Sequence, residues 1–169
     1  IYAYRQDLDA ATGARRVDVR EATVASSLRF ADTFPDHEEA DVVLGAAADD
    51  LYAMQQFQPA IDAARKLIER YPDADNELLR SGWVVIAHSS IDIAEYPQAE
   101  HAYLEVLART PADSEKRPAV VDGLAAAIYK QGEQAIVLED FRTAANHFLR
   151  IKELAPTSAI RSNAEYDAA

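Results

Sequence analysis

The sequence contains no cysteine, so disulfide bonds, thiolate nucleophiles and cysteine-based zinc sites are excluded. Its 169 residues include only five glycines and seven prolines, too few for a flexible linker or a collagen-like segment. No apolar run approaches the roughly 18 residues that a membrane-spanning helix needs. The sequence therefore predicts a folded chain without direct membrane insertion.

Motifs of catalysis and cofactor binding are also missing. The four histidines do not form the H-E-x-x-H pair of a zinc protease, and the chain has no P-loop, no G-x-G-x-x-G and no G-x-S-x-G. The many carboxylates do not form a paired set in an apolar context. We therefore expect a protein that is not an enzyme, with no catalytic residues, no cofactor and no metal.

Hydrophobic residues make up 49% of the chain, which is enough for a substantial core. The formal net charge is −12, and an acidic field repels phosphate backbones, so nucleic acid is not expected as a partner. Part of the acidity has a structural explanation. Asp36, Asp73 and Asp113 each precede a predicted helix, where a carboxylate can cap free backbone N–H groups.

Three segments of the chain repeat one spacing: an aromatic residue, an alanine three residues later, apolar residues four and seven further on, and a proline twelve after the alanine. In chain order the columns hold Phe57, Tyr96 and Phe141; Ala60, Ala99 and Ala144; Ala64, Tyr103 and Phe148; Leu67, Val106 and Ile151; and Pro72, Pro111 and Pro156. A proline just past a helix end stops the helix. The spacing predicts three similar helical units, with Pro35 closing an earlier, degenerate one.

These columns resemble the tetratricopeptide repeat family, whose unit of about 34 residues carries W-x2-L-G-x2-Y, then A-x3-F, then P. Upstream of each alanine the first part of that pattern reads Leu44, Ala47, Ala48, Leu51; Trp83, Ile86, Ala87, Ser90; and Ile128, Gln131, Gly132, Ala135. The resemblance implies an all-α, right-handed α-solenoid of antiparallel helix pairs. Small residues at Ala48, Ala87 and Gly132 fit a close crossing within each pair, and Trp83 is expected in the core.

The closing prolines are 37, 39 and 45 residues apart, so either the turns before the first helices or those helices themselves are longer than in the family. We expect a single helical-repeat domain over 1–169, cut from a longer chain. Its parts are a degenerate repeat over 1–35, repeats over 36–72, 73–111 and 112–156, and the start of another helix over 157–169. Helices are predicted at about 2–33 (a pair), 37–55, 58–70, 76–93, 97–109, 118–138, 141–154 and from 158.

In the family the first helices line a concave surface, and the resemblance implies that a partner binds there. The residues expected to form this partner-binding groove are Asp49, Tyr52, His88, Asp92, Tyr129 and Glu133. Further positions on the same face include Val42, Gly45, Val85, Lys130, Ile136 and Val137. Such a groove suits an extended or helical peptide with apolar and basic character.

The function expected from this resemblance is a non-catalytic scaffold that binds a protein or peptide. Two alternatives stay open: a structural spacer that self-associates through its ends, or a regulatory domain of an enzyme whose catalytic part lies elsewhere. The closing turns around Phe34–Pro35 and Tyr71–Pro72 resemble those of bacterial envelope repeat proteins, such as outer-membrane assembly lipoproteins and the periplasmic partner of the Tol-Pal system. A periplasmic location is expected, with the cytoplasm as the alternative.

Overall fold

Eight α-helices and no strand make up the part of the chain that the computed structural model describes, residues 14–169. In chain order they are α1 (Ala14–Thr33), α2 (Ala40–Ala53), α3 (Phe57–Arg70), α4 (Asn76–Asp92), α5 (Tyr96–Ala108), α6 (Arg117–Val137), α7 (Phe141–Leu154) and α8 (Arg161–Asp167). The all-α prediction is confirmed. A pair of helices was predicted over 2–33. Residues 14–33 of this segment form one continuous helix, and residues 1–13 lie outside the described part of the chain.

The helices fall into two compact units, one up to Val85 and the other from Ile86 to Ala169. In the first unit α2 packs against both α1 and α3. In the second unit α6 packs against α5 and α7, and α8 packs against α7. These packed pairs are all between helices consecutive in the chain, which is consistent with a helical repeat.

The same tight turn joins α2 to α3, α4 to α5 and α6 to α7. In each turn one residue, Gln55, Ala94 or Glu139, adopts a left-handed backbone with φ near 60°. In the first turn the N–H of Gln55 donates to the carbonyl of Tyr52, and the N–H of the next residue donates to Leu51. The other two turns repeat both bonds. This is the Schellman ending, in which a left-handed residue terminates a helix.

Three of the predicted columns, the alanines and the apolar residues four and seven positions after them, are buried in all three pairs, whereas Phe141 and the closing prolines are exposed. The alanines three residues after each aromatic residue are inaccessible, and so are the apolar residues seven further on, Leu67, Val106 and Ile151. The pattern positions of the first helices are buried too, with the exception of Trp83. Trp83 is half-buried, although a core position was expected for it. The one-sided burial of the second helices explains why their spacing is so regular.

The small residue at the crossing has a clear reason in the third pair. A Cβ atom on Gly132 would lie 2.7 Å from Cζ of Phe148 and closer still to a neighbouring ring carbon, because the aromatic ring lies against the glycine backbone. Phe148 itself is fully buried. The prediction of a close crossing at Gly132 is confirmed.

Three capping predictions were wrong. The residue before α2 is Glu39 and that before α6 is Lys116, and neither caps its helix with a side chain, so Asp36 and Asp113 are not caps. Before α4, the carboxylate that accepts a backbone N–H is Asp75, from Glu77 at 2.8 Å, and not Asp73. The residue immediately before each helix lies two or three positions after the predicted aspartate, which moves the capping position.

The extra length between the prolines is found in both expected places. The first helices of the pairs grow from 14 residues in α2 to 17 in α4 and 21 in α6. The connection between α5 and α6 is also longer than that between α3 and α4. Helix extension and turn extension therefore both contribute.

Candidate functional site

The six residues predicted to bind a partner lie in pairs on the first helices, two on each of α2, α4 and α6. Within each pair the residues are three or four apart, so both side chains lie on the same side of their helix. The side chains of Asp49, His88 and Asp92 are exposed, and those of Tyr52, Tyr129 and Glu133 are partly exposed. Each first helix thus presents at least one acid or ring to solvent on this side.

On α2, in the first unit, Asp49 is an acid held in a partly desolvated position. Burial, with a further contribution from the neighbouring Asp50, raises the pKa of Asp49 above its ordinary value. Asp50 is paired with Arg20 of α1 at 3.4 Å, whereas no cation of the described residues pairs with Asp49. A desolvated carboxylate without a counter-ion favours a cationic ligand.

Beside this acid, Tyr52 supplies an aromatic surface. Its ring centroid lies 5.9 Å from that of Phe57, the first residue of α3, in a tilted arrangement. Tyr52 is half-buried, so one side of the ring is fixed by the turn and the rest is accessible. A ring held in this way offers contact area at a small entropic cost.

On α4, in the second unit, His88 and Asp92 lie one turn apart. Burial lowers the pKa of His88 below its ordinary value, and the negative charge of Asp92 partly opposes that shift. The His88 ring is 6.0 Å from the ring of Tyr103 on α5. His88 is therefore a hydrogen-bonding ring next to an exposed carboxylate.

On α6, Tyr129 is tied to the fold at both ends of its side chain. Its ring lies 5.0 Å from that of Phe148, and its hydroxyl donates to a carboxylate oxygen of Asp167 on α8. That hydrogen bond, together with burial, raises the pKa of Tyr129 to about 12. Tyr129 is thus partly structural, and any contribution to a ligand comes from the accessible part of its ring.

Glu133, one turn further along α6, accepts a hydrogen bond from Lys130 at 2.6 Å. Both side chains are about half accessible, so the pair is a solvent-screened contact rather than a buried one. A ligand cation can compete with Lys130 for this carboxylate.

Other positions predicted for this face divide into accessible and buried ones. Val42 and Ile136 are exposed, as predicted. Gly45 and Val85 are buried, so their assignment to the face was wrong. At Gly45 a Cβ atom would lie 2.7 Å from Cδ1 of Leu78, because the start of α4 packs against α2 there.

A polar cluster in the second unit was not predicted from the sequence. Glu100 of α5 is buried, and its carboxylate accepts hydrogen bonds from Gln131 of α6 at 2.6 Å and from Arg150 of α7. The signal was Gln131 itself, a polar residue at a core position of the repeat, because a buried amide needs a partner. The cluster links three helices, and its buried groups are satisfied by each other.

Two serines at the end of α4 lack such partners. Ser89 and Ser90 are fully buried, and neither hydroxyl has a hydrogen-bond partner among the described residues. Their small size fits the packing, while their oxygen atoms carry a desolvation cost.

Among residues 14–169, histidine, aspartate and glutamate side chains form no group of three or more that could hold a metal ion. No helix in this range has the length and apolar character needed to cross a membrane.

No protein-family model matches the chain, and no curated protein is similar to it.

Proposed function

We propose that the chain is a non-catalytic scaffold that binds a protein or peptide through accessible side chains of its first helices. In the first unit these are Asp49 and Tyr52 of α2, and in the second unit they lie on α4 and α6, each unit presenting its own surface. We further propose that its helix pairs are tetratricopeptide-type units, which in that family stack as a right-handed solenoid. The observation that carries the proposal is Asp49, an acid whose pKa is raised by burial and with which no cation of the described residues pairs. A carboxylate in this position favours a cationic ligand.

The ligand that fits these surfaces is a segment with basic and apolar side chains. Asp49, Asp92 and Glu133 supply one carboxylate on each first helix, and the net charge of −12 attracts cations at long range. Tyr52 and the exposed aliphatic residues Val42 and Ile136 supply apolar contact area. A mixed surface of this kind suits an extended or helical peptide.

The test is a selection of peptides from a random library displayed on phage, followed by affinity measurements on variants. We expect the selected sequences to be enriched in lysine, arginine and apolar residues. Charge reversal at the site, as Asp49→Lys or Asp92→Lys, is expected to weaken binding at least about tenfold. Neither aspartate has a packing role, so both variants should fold.

Matched controls make the same charge change on the second helices. Glu69→Lys on α3 and Glu153→Lys on α7 alter exposed carboxylates away from the proposed surface. If these controls weaken binding as much as the site variants do, the peptide is attracted only by the overall negative charge of the chain. If no selected peptide depends on Asp49 or Asp92, the site is wrong, and a structural spacer that self-associates becomes the better account.

We also propose a bacterial envelope location, which rests on the resemblance of the closing turns alone. Fractionation of cells of the native organism into periplasm and cytoplasm tests it. Recovery of the protein with cytoplasmic markers would contradict the proposal.

A further inference from the structure

A base at the same repeat position links two helices in each unit. Lys66 of α3 and Arg150 of α7 are equivalent, since each lies six residues before the closing proline of its pair. Lys66 pairs with Asp32 of α1 at 2.8 Å, and Arg150 pairs with Glu100 of α5. Both ion pairs therefore join helices that are separated by one other helix in the chain.

The two acids differ in their exposure to solvent. The Asp32 side chain is 49% exposed, whereas that of Glu100 is 11% exposed. One oxygen of Glu100 accepts from Arg150, and the other accepts from Nε2 of Gln131 of α6 at 2.6 Å. A buried carboxylate is costlier to leave without its partner than an exposed one. The packing of the second unit therefore depends more on its link than that of the first unit does.

A histidine accompanies the link of the second unit. His147 lies one turn before Arg150 on α7, and its Nδ1 is 3.3 Å from a guanidinium nitrogen of Arg150. Because a guanidinium group can only donate hydrogen bonds, Nδ1 is the acceptor, and the proton of the neutral ring is on Nε2. In α3 the residue equivalent to His147 is Ala63, which cannot take up a proton. The two links thus differ in a titratable side chain.

Two charged groups influence the protonation of His147, namely Arg150 on its own helix and Glu100 on α5. Burial and the positive charge of Arg150 lower the pKa of His147, and the negative charge of Glu100 partly opposes this shift. The lowered pKa means that the fold favours the neutral ring, which is the form that accepts from Arg150.

Charged side chains of the other two helices packed against α7 bond elsewhere. The residue of α6 that reaches the cluster is the uncharged Gln131. The bonded pairs on α6 and α8 are Lys130 with Glu133, Asp122 with Ser158, and Arg161 with Glu165. The protonation of the histidine is therefore governed by its burial and by the two charged groups named above.

We propose that Glu100, Arg150 and His147 form a proton-sensitive link that joins α5 to α7 at neutral pH and weakens on acidification. The neutral ring of His147 accepts from Arg150 and orients its guanidinium group toward Glu100. When Nδ1 takes up a proton from solvent, the acceptor is lost, and two adjacent cations compete for one carboxylate. This goes beyond the scaffold function proposed above, because it concerns regulation by pH and none of the residues proposed to bind the ligand.

The test is a double-mutant cycle with Glu100→Gln and Arg150→Met in the 169-residue chain, measured by urea unfolding at pH 7.5 and pH 5.0. We expect the coupling of the two residues to change the unfolding equilibrium constant at least about fivefold at pH 7.5 and less than about twofold at pH 5.0. Because the pKa of His147 is lowered, the stability of the fold is full above the ordinary value of 6.5 and falls as the pH drops through the folded value.

The same cycle in a His147→Asn background identifies the titrating group. The amide oxygen of asparagine can replace Nδ1 as the acceptor for Arg150, but it does not bind a proton in this pH range. The coupling should therefore be equal at both pH values in this background.

The matched control is the link of the first unit, with a cycle of Asp32→Asn and Lys66→Met. The hydrogen bond from Lys66 lowers the pKa of Asp32 below its ordinary value of 3.8, so the carboxylate stays ionised at pH 5.0. The residue equivalent to His147 is Ala63 in this unit. The coupling of Asp32 and Lys66 should therefore be the same at both pH values.

A second measurement, NMR titration of the His147 ring, does not depend on unfolding. Glu100→Gln should lower the midpoint of the titration, because it removes an attractive negative charge. Arg150→Met should raise the midpoint, because it removes a repulsive positive charge. Glu153→Gln, at an exposed acid of α7, should leave the midpoint unchanged.

Three results would overturn the proposal. The first is a coupling of Glu100 and Arg150 that is equal at both pH values in the unaltered background. The second is a loss of coupling at pH 5.0 that persists with His147→Asn, which would assign the titration to Glu100 itself. The third is a midpoint of His147 that Arg150→Met does not raise, and this result decides alone if Glu100→Gln does not fold.

Discussion

The α2–α3 pair and the α6–α7 pair have the same turn but fill their crossings differently. In the first pair the crossing positions are Ala48 and Ala64, both fully buried. In the third pair they are Gly132 and Phe148, and the ring lies where the glycine lacks a side chain. The two pairs share the backbone of the turn, but the side-chain volume at the helix crossing is divided between the two helices in different ways.

The same two pairs differ on their surfaces. At the first turn Phe57 is half-buried and its ring contacts Tyr52, whereas Phe141 at the third turn is exposed. The turn backbones match, so the turn by itself does not determine how far the aromatic residue after it is buried. Identical local structure can thus serve closed packing in one place and an open surface in another.

The largest effect is expected at the crossing phenylalanine. Phe148→Ala should lower the free energy of unfolding by about 3–5 kcal/mol, because it empties a fully buried site. Phe141→Ala, the same change at an exposed position, should cost less than about 0.5 kcal/mol. Urea unfolding of both variants measures the difference, and similar losses would contradict the contrast between the two rings.

The next effect tests whether Gly132 and Phe148 share one volume. Gly132→Ala alone should cost about 1–3 kcal/mol, because its methyl group overlaps the ring. In the Phe148→Ala background the same change should be nearly neutral, since the third pair then has the alanines of the first. A double-mutant cycle measures the coupling. Additive losses would show that the two residues do not compensate each other.

The smallest effect concerns the shared turn. Gln55→Gly and Glu139→Gly should each raise the free energy of unfolding by about 0.5–1 kcal/mol, because glycine adopts the left-handed backbone without strain. Ala53→Gly, two residues earlier within α2, should instead lower it by a similar amount. Thermal or urea unfolding distinguishes the signs, and stabilisation at only one of the two turns would show that they are not equivalent.

The second helices were the most predictable part of the fold. Their core residues and closing prolines keep fixed distances, so α3, α5 and α7 begin and end within one residue of the prediction. Burial of the Ala60, Ala99 and Ala144 column follows from the same periodicity. Local pattern is sufficient where one helix face determines the packing.

Features that depend on neighbouring helices were not predictable in this way. The sequence does not reveal that Glu100 is buried, because its partners Gln131 and Arg150 are 31 and 50 residues away. Nor does it separate the exposed Phe141 from the half-buried Phe57, since both follow the same turn. At the candidate site Asp49 and Asp92 are exposed, and the hydrogen bond from Tyr129 to Asp167 was not foreseen.

The proposed ligand binding by the first helices rests on Asp49, and Asp49→Asn tests it. The raised pKa of Asp49 means that its stabilising contribution is present below the ordinary pKa of 3.8 and is lost as pH rises through the folded value. At pH 7 the ionised carboxylate therefore weakens the fold, and the neutral amide should strengthen it. This gain should shrink as the pH falls toward 3.8.

The measurement combines urea unfolding at pH 7 with the affinity for a selected basic peptide, for the unaltered chain, Asp49→Asn and the control Asp73→Asn. Asp73 is an exposed carboxylate in the connection between α3 and α4. The account predicts that Asp49→Asn is more stable and binds the peptide more weakly, while Asp73→Asn changes neither. A variant at Asp49 that binds as well as the unaltered chain would contradict it.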